Sequence, residues 1–211
     1  MHPNDCPAWE YEDHSDHVTI LPVNSAQLLI GLRSGDIDTQ QVCCDTRSAH
    51  HFLFNGLVPD GYPYFAGNYR GQDYRCLKYY DVCIPSDDTV GTYSAGVHQA
   101  MRYVEEVLNN SLPAIDAAHE LPEAQLPKDL RIVYLVKFAT RVLVEFLRVH
   151  PYANGNGHMA RFIVFAVLAR YGLWPIKWPL DESPNYHQHI YDYRKGNIVP
   201  LEDFILRSVL G

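Results

Sequence analysis

Residues 130–149 read LRIVYLVKFATRVLVEFLRV and residues 150–161 read HPYANGNGHMAR. The first stretch carries apolar residues on nearly every side of a helix, which predicts a central helix surrounded by others. Pro151 disfavours continuing it, and a second helical run starts near Asn156, extends to Tyr171 and is stopped by Gly172. Gly155 and Gly157 let the chain turn tightly between the two helices and leave N–H groups bare at the start of the second. Those donors, with the positive end of the helix dipole, form an anion site. The expected fold class is mainly α, built on a central helix-loop-helix.

His150 stands where the long helix gives way to the loop, so its imidazole is placed to project over the glycine nest. With an unperturbed pKa near ~6.5 it can take a proton from a hydroxyl at neutral pH, the task of a general base. The ordinary alternative is a helix-terminal histidine stabilising the dipole, and the nest beside His150 favours the base. Gly155, Asn156 and Gly157 read as phosphate binders through their N–H groups, with the Asn156 side chain adding a donor. Arg161 lies one helical turn beyond Gly157, on the same face, as a charge-assisted clamp for outer phosphates. Tyr152 reads as a plug beneath the loop whose hydroxyl finds a partner or the surface.

Residues 150–161 resemble the motif of the Fic family, His-x-Phe-x-(Asp/Glu)-Gly-Asn-Gly-Arg-x-x-Arg. His150, Pro151, Tyr152, Gly155, Asn156, Gly157 and Arg161 fall where the family has them, whereas Asn154 stands for the acid and His158 for the first arginine. Residues 53–71, with Leu-Phe-Asn-Gly-Leu-Val and Tyr-Phe-Ala-Gly-Asn-Tyr-Arg-Gly, and the tail 186–205 are similar to Fic sequences as well.

The resemblance implies a Fic-like domain over residues 24–211 with a β-hairpin flap at about 74–92. It also implies a protein adenylyltransferase that moves AMP from ATP, with Mg2+ or Mn2+, to a Ser, Thr or Tyr hydroxyl of a target protein bound at the flap by strand pairing. Toxin and effector roles belong to the same implication. In the family the acid holds the metal; the Asn154 oxygen can ligate it but brings no charge, so affinity and rate should fall. His158 replaces a permanently charged fork with a ring mostly neutral at pH 7, which weakens its phosphate binding. Two alternatives stay open: a catalytically impaired pseudoenzyme that binds nucleotide or partner, and an enzyme using a different phosphate-containing donor. The family's inhibitory pattern, (Ser/Thr)-x-x-x-Glu-(Gly/Asn), is missing, since no glutamate here precedes Gly or Asn. Either a separate antitoxin-like partner supplies restraint or the weakened site needs none.

Composition narrows the rest. A chain of 211 residues with 47% hydrophobic content suits one domain with an ordinary core. A net charge of −8 argues against a broad nucleic-acid footprint. No apolar run reaches the ~20 residues of a membrane span. Cysteines at 6, 43, 44, 76 and 83 form no Cys-x-x-Cys pair, so a reducing, cytoplasmic setting is the simpler expectation, with delivery as an effector left open.

Along the chain, residues 1–23 read as a polar, loose or partner-ordered arm. Asn24 or Ser25 is the expected start of a short helix closed by Gly35, and Thr39 opens another towards Gly56. Ser94 caps a helix with Val97, Met101, Val104 and Leu108 on one face, followed by a loop bearing Pro113, Pro122 and Pro127. Ser183-Pro184 is the expected start of a further helix, and residues 201–210 form the last.

Overall fold

The computed structural model describes residues 6–82, 87, 89–175 and 178–210. Among these, eight α-helices form: α1 (His17–Ser34), α2 (Thr39–Cys44), α3 (Arg47–Phe54), α4 (Ser94–His119), α5 (Lys128–Val149), α6 (Asn156–Ala169), α7 (His187–Arg194) and α8 (Val199–Leu210). The mainly helical class and the helix-loop-helix of α5 and α6 are as expected.

The burial of those two helices differs from expectation. Helix α6 is the enclosed one: all its residues but Gly157 and Ala169 are buried, against α5, α2 and α1. Helix α5 keeps a solvent stripe at Tyr134, Lys137, Arg141 and Arg148, spaced as one helix face. Its other face, including Leu135, Ala139, Leu143 and Phe146, packs inward.

Helix α1 begins at His17, well before Asn24. Leu21 extends the buried stripe of Leu28 and Leu32 by two turns, and Pro22 stands inside the helix. Helix α4 likewise runs through Pro113. Pro113 forfeits one hydrogen bond, yet the segment beyond it is tied down at Asp116, which accepts from Arg170 Nε at 2.8 Å, Arg170 Nη2 at 2.6 Å and Tyr171 Oη at 2.7 Å. The expected single helix after Thr39 breaks at Asp45, whose carboxylate turns back to Arg47.

Of the described residues ahead of α1, Trp9 and Tyr11 are buried in the core. Trp9 is 2% exposed, donates its indole N–H to the Leu57 carbonyl at 2.8 Å and packs against Phe54 and Phe65. Cys6 and Cys76, left unpaired in the sequence reading, form a disulfide. The expected β-hairpin at 74–92 falls partly on residues 83–86 and 88, outside the described residues. Among the described residues of that stretch β-type pairing is limited to a single bridge residue, Asp87. Gly91 and Thr92 instead donate their N–H groups to Arg148 and Val149 at the end of α5. No helix among the described residues is long and apolar enough to cross a membrane.

Candidate functional site

The end of α5 is set by an unusual backbone. His150 has φ 50 and ψ 62, the left-handed region, and no other non-glycine among the described residues has a positive φ. This conformation ends the helix and turns the chain into the loop. Arg70 holds it there. Its buried guanidinium donates to the carbonyls of His150 at 2.7 Å, Tyr80 at 2.8 Å, Thr92 at 2.9 Å and Val149 at 3.1 Å, and its own N–H reaches Pro151 at 2.8 Å. A cation among carbonyls at a helix C-terminus is favoured by charge as well as by hydrogen bonding. Sequence reasoning quoted Arg70 only within a similar stretch and gave it no role.

The His150 ring is fixed by its neighbour. Nδ1 lies 2.6 Å from the Leu147 carbonyl, which can only accept, so Nδ1 carries the proton and Nε2 keeps the lone pair. Burial holds the imidazole pKa below its ordinary value; the Leu147 bond opposes that, while Arg70 and Arg194 add to it. His150 is thus a neutral base at neutral pH. It lines a cavity of about 340 Å³ with Gly157, Tyr186, Ile190 and Arg194.

Gly155 caps α6 at φ 75. A Cβ there would lie 2.3 Å from Phe54 Cε2 and 3.2 Å from His50 Nε2, so glycine is required twice over, by backbone and by space. His50 pins the same loop: Nδ1 accepts from the Gly67 N–H at 2.9 Å, so Nε2 donates to the Asn154 carbonyl at 3.0 Å. Tyr152 stacks on His50 at 3.7 Å and shares a 2.7 Å hydrogen bond with Thr46, the plug expected of it.

The remaining motif side chains face protein. Asn156 accepts from the Tyr152 N–H at 2.8 Å and donates to the Tyr152 carbonyl at 2.9 Å, so it staples the loop. His158 is 6% exposed between the edges of Tyr11 and Phe54, with Nε2 3.3 Å from the Asp181 carbonyl. Burial, reinforced by Arg161, pushes its pKa down to about 3, so it is neutral. Arg161 is 1% exposed; it donates to the Leu180 carbonyl at 2.9 Å and to Tyr186 Oη at 3.3 Å, while its Nε has no partner among the described residues. The cavity thus joins His150 and Gly157, while Asn154, His158 and Arg161 stand outside its described lining.

Asn154 tests the fit of a metal. Its Oδ1 accepts from the Gly155 N–H at 2.5 Å, and its Nδ2 donates to the Trp9 carbonyl at 2.9 Å and to Glu10 Oε2 at 2.7 Å. The oxygen is engaged and the amino group faces the Glu10 carboxylate. No group of three His, Cys, Asp or Glu suited to a metal occurs among the described residues. The donor set of this arrangement does not fit Mg2+ or Mn2+.

Against known proteins, no family model matches the chain. Over 82 residues it is 29% identical to the protein adenylyltransferase Fic of Nematostella vectensis, which covers 39% of this chain and 19% of that protein. The matched region thus spans about a fifth of the relative's length. A similarity of that size supports a distant, partial relationship to Fic proteins.

Proposed function

We propose that this chain is a Fic-type nucleotidyltransferase that moves AMP from ATP to a Ser, Thr or Tyr hydroxyl of a target protein. The observation that carries the reading is His150: a neutral imidazole whose Nδ1 is tied to Leu147 and whose Nε2 keeps its lone pair, set in a cavity with the first turn of α6. In the proposed step Nε2 takes the hydroxyl proton as the oxygen attacks the α-phosphorus. The bond from that phosphorus to the bridging oxygen breaks and pyrophosphate leaves. The N–H groups at the start of α6 stabilise the charge on the phosphate oxygens. Leu147, Ile190 and Tyr191 give the cavity apolar walls suited to a base. Recognition of the target at residues 74–92 belongs to the same proposal.

A second reading has its own observation. Asn154 is bonded at both ends and carries Trp9 and Glu10 over the loop, which favours a protein that binds nucleotide without transferring it. One experiment separates the two: transfer from α-phosphate-labelled ATP into lysate proteins and into the chain itself, with Mg2+ or Mn2+ supplied, beside His150→Ala. Label lost in the variant supports the transferase. ATP binding without label in the folded native protein supports the second reading.

A further inference from the structure

The cavity holds a cation that the motif does not supply. Arg194, the last residue of α7, lines it together with His150, and its side chain is 8% exposed. Its charge is felt at His150, where it helps to hold the imidazole unprotonated. One ion pair satisfies it in part: Nη1 lies 2.6 Å from Asp87 Oδ2, while Nε is buried without a partner among the described residues. Asp87 is itself well supplied, its Oδ1 accepting from Thr89 N–H at 3.0 Å and Thr89 Oγ1 at 2.5 Å. The guanidinium is therefore the under-satisfied member of the pair. A planar fork using one edge nitrogen, with Nε spare, retains the geometry for a second oxygen acceptor.

Arg161 shows why this matters. Its Nη2 bonds the Leu180 carbonyl and its Nη1 the Tyr186 hydroxyl, and it lies outside the described cavity lining. We propose that Arg194 is the residue that binds the anionic, phosphate-bearing part of the ligand in the His150 cavity, with Asp87 as the internal anion that the ligand's oxygens displace. The inference deepens the nucleotide reading of this cavity and rests on it. Gly157, at the first turn of α6, lines the same cavity, so a polyphosphate between the two meets backbone donors on one side and a guanidinium on the other.

Calorimetric titration of ATP, and separately of inorganic pyrophosphate, into the full chain tests this. Arg194→Gln is expected to lose at least tenfold in affinity for both, and Arg194→Lys to fall between, keeping the charge without the fork. Asp87→Asn is expected to bind several-fold more tightly, because the competing carboxylate is gone; a merely structural ion pair predicts the opposite sign. Native-like affinity in Arg194→Gln overturns the proposal. So does weaker binding in an Asp87→Asn protein of unchanged melting temperature, or no binding of either probe to the native chain. Should Asp87→Asn fail to fold, the order of native, Lys and Gln at 194 still decides. Arg194-dependent binding with no His150-dependent transfer sinks the transferase reading alone. Undiminished transfer and affinity in Arg194→Gln sink the clamp alone.

Discussion

At the scale of single residues, Asn154 is where the resemblance and the geometry pull apart. The resemblance implies a weak metal ligand; the structure gives Asn154 two donations to Trp9 and Glu10 and one acceptance from Gly155. Asp at this position cannot donate, and its carboxylate would face that of Glu10. Asn154→Asp is therefore expected to cost about 1–3 kcal/mol of stability and to speed amide exchange across residues 9–13. If exchange there is unchanged, Asn154 is no latch. The two buried histidines make a prediction in pH. His50 is pushed down to about 3, chiefly by burial, and so is His158. Unfolded, each titrates near ~6.5, so between these values the unfolded chain holds the extra protons. Their cost to stability is absent above about pH 6.5 and grows as pH falls towards 3. The urea midpoint should drop from pH 7 to pH 5, and His158→Phe should flatten that drop, each histidine accounting for up to about 1.4 kcal/mol per pH unit.

At the scale of elements, legibility followed local chemistry. The loop at 150–157 was readable because Pro151 and the glycines at 155 and 157 act through short-range sterics, and α6 starts at Asn156 as read. Elements decided by distant partners were not. Pro22 concealed the first turns of α1, whose Leu21 belongs to the stripe of Leu28 and Leu32. Pro113 read as loop, but Asp116 is held by Arg170 and Tyr171 from beyond α6, and no local signal predicts that grip. Arg70 escaped a role for the same reason, since its carbonyl partners lie at residues 80, 92, 149 and 150. The side chains of Asn156 and Arg161 lie on the segment expected and bond protein groups that the sequence did not indicate, because helix spacing fixes a face without saying what protein already covers it. Pro113 is exposed. Pro113→Ala should restore the missing N–H and stabilise α4 by about 1–3 kcal/mol, read as a rise in melting temperature. No rise would mean that the helix has already bent to absorb the loss.

At the scale of the whole molecule, the Cys6–Cys76 disulfide joins the two ends of the argument. Five cysteines with no characteristic spacing predict no pairing, since which two meet depends on the finished fold. Once formed, the bond spans 70 residues and fixes the chain just ahead of Trp9 and Glu10 to the segment that follows Arg70. Arg70 sets the His150 backbone from one side of the motif loop, while Trp9 and Glu10 hold Asn154 from the other. The disulfide thus closes a ring of contacts around the loop. Breaking it frees the unfolded chain from a long closed loop and is expected to cost about 2–4 kcal/mol. Because Trp9 is anchored independently by Leu57, the loss should be partial in the native state: faster exchange at residues 6–13 and 154–155, with α5 and α6 unchanged. Cys6→Ser and reductant-treated native protein should show the same exchange pattern, and reductant should add nothing to Cys6→Ser. A reductant effect persisting in the variant would place the redox-sensitive group elsewhere. Equal protection with and without the bond would show that the aromatic packing of Trp9 alone is sufficient to hold the segment on the loop.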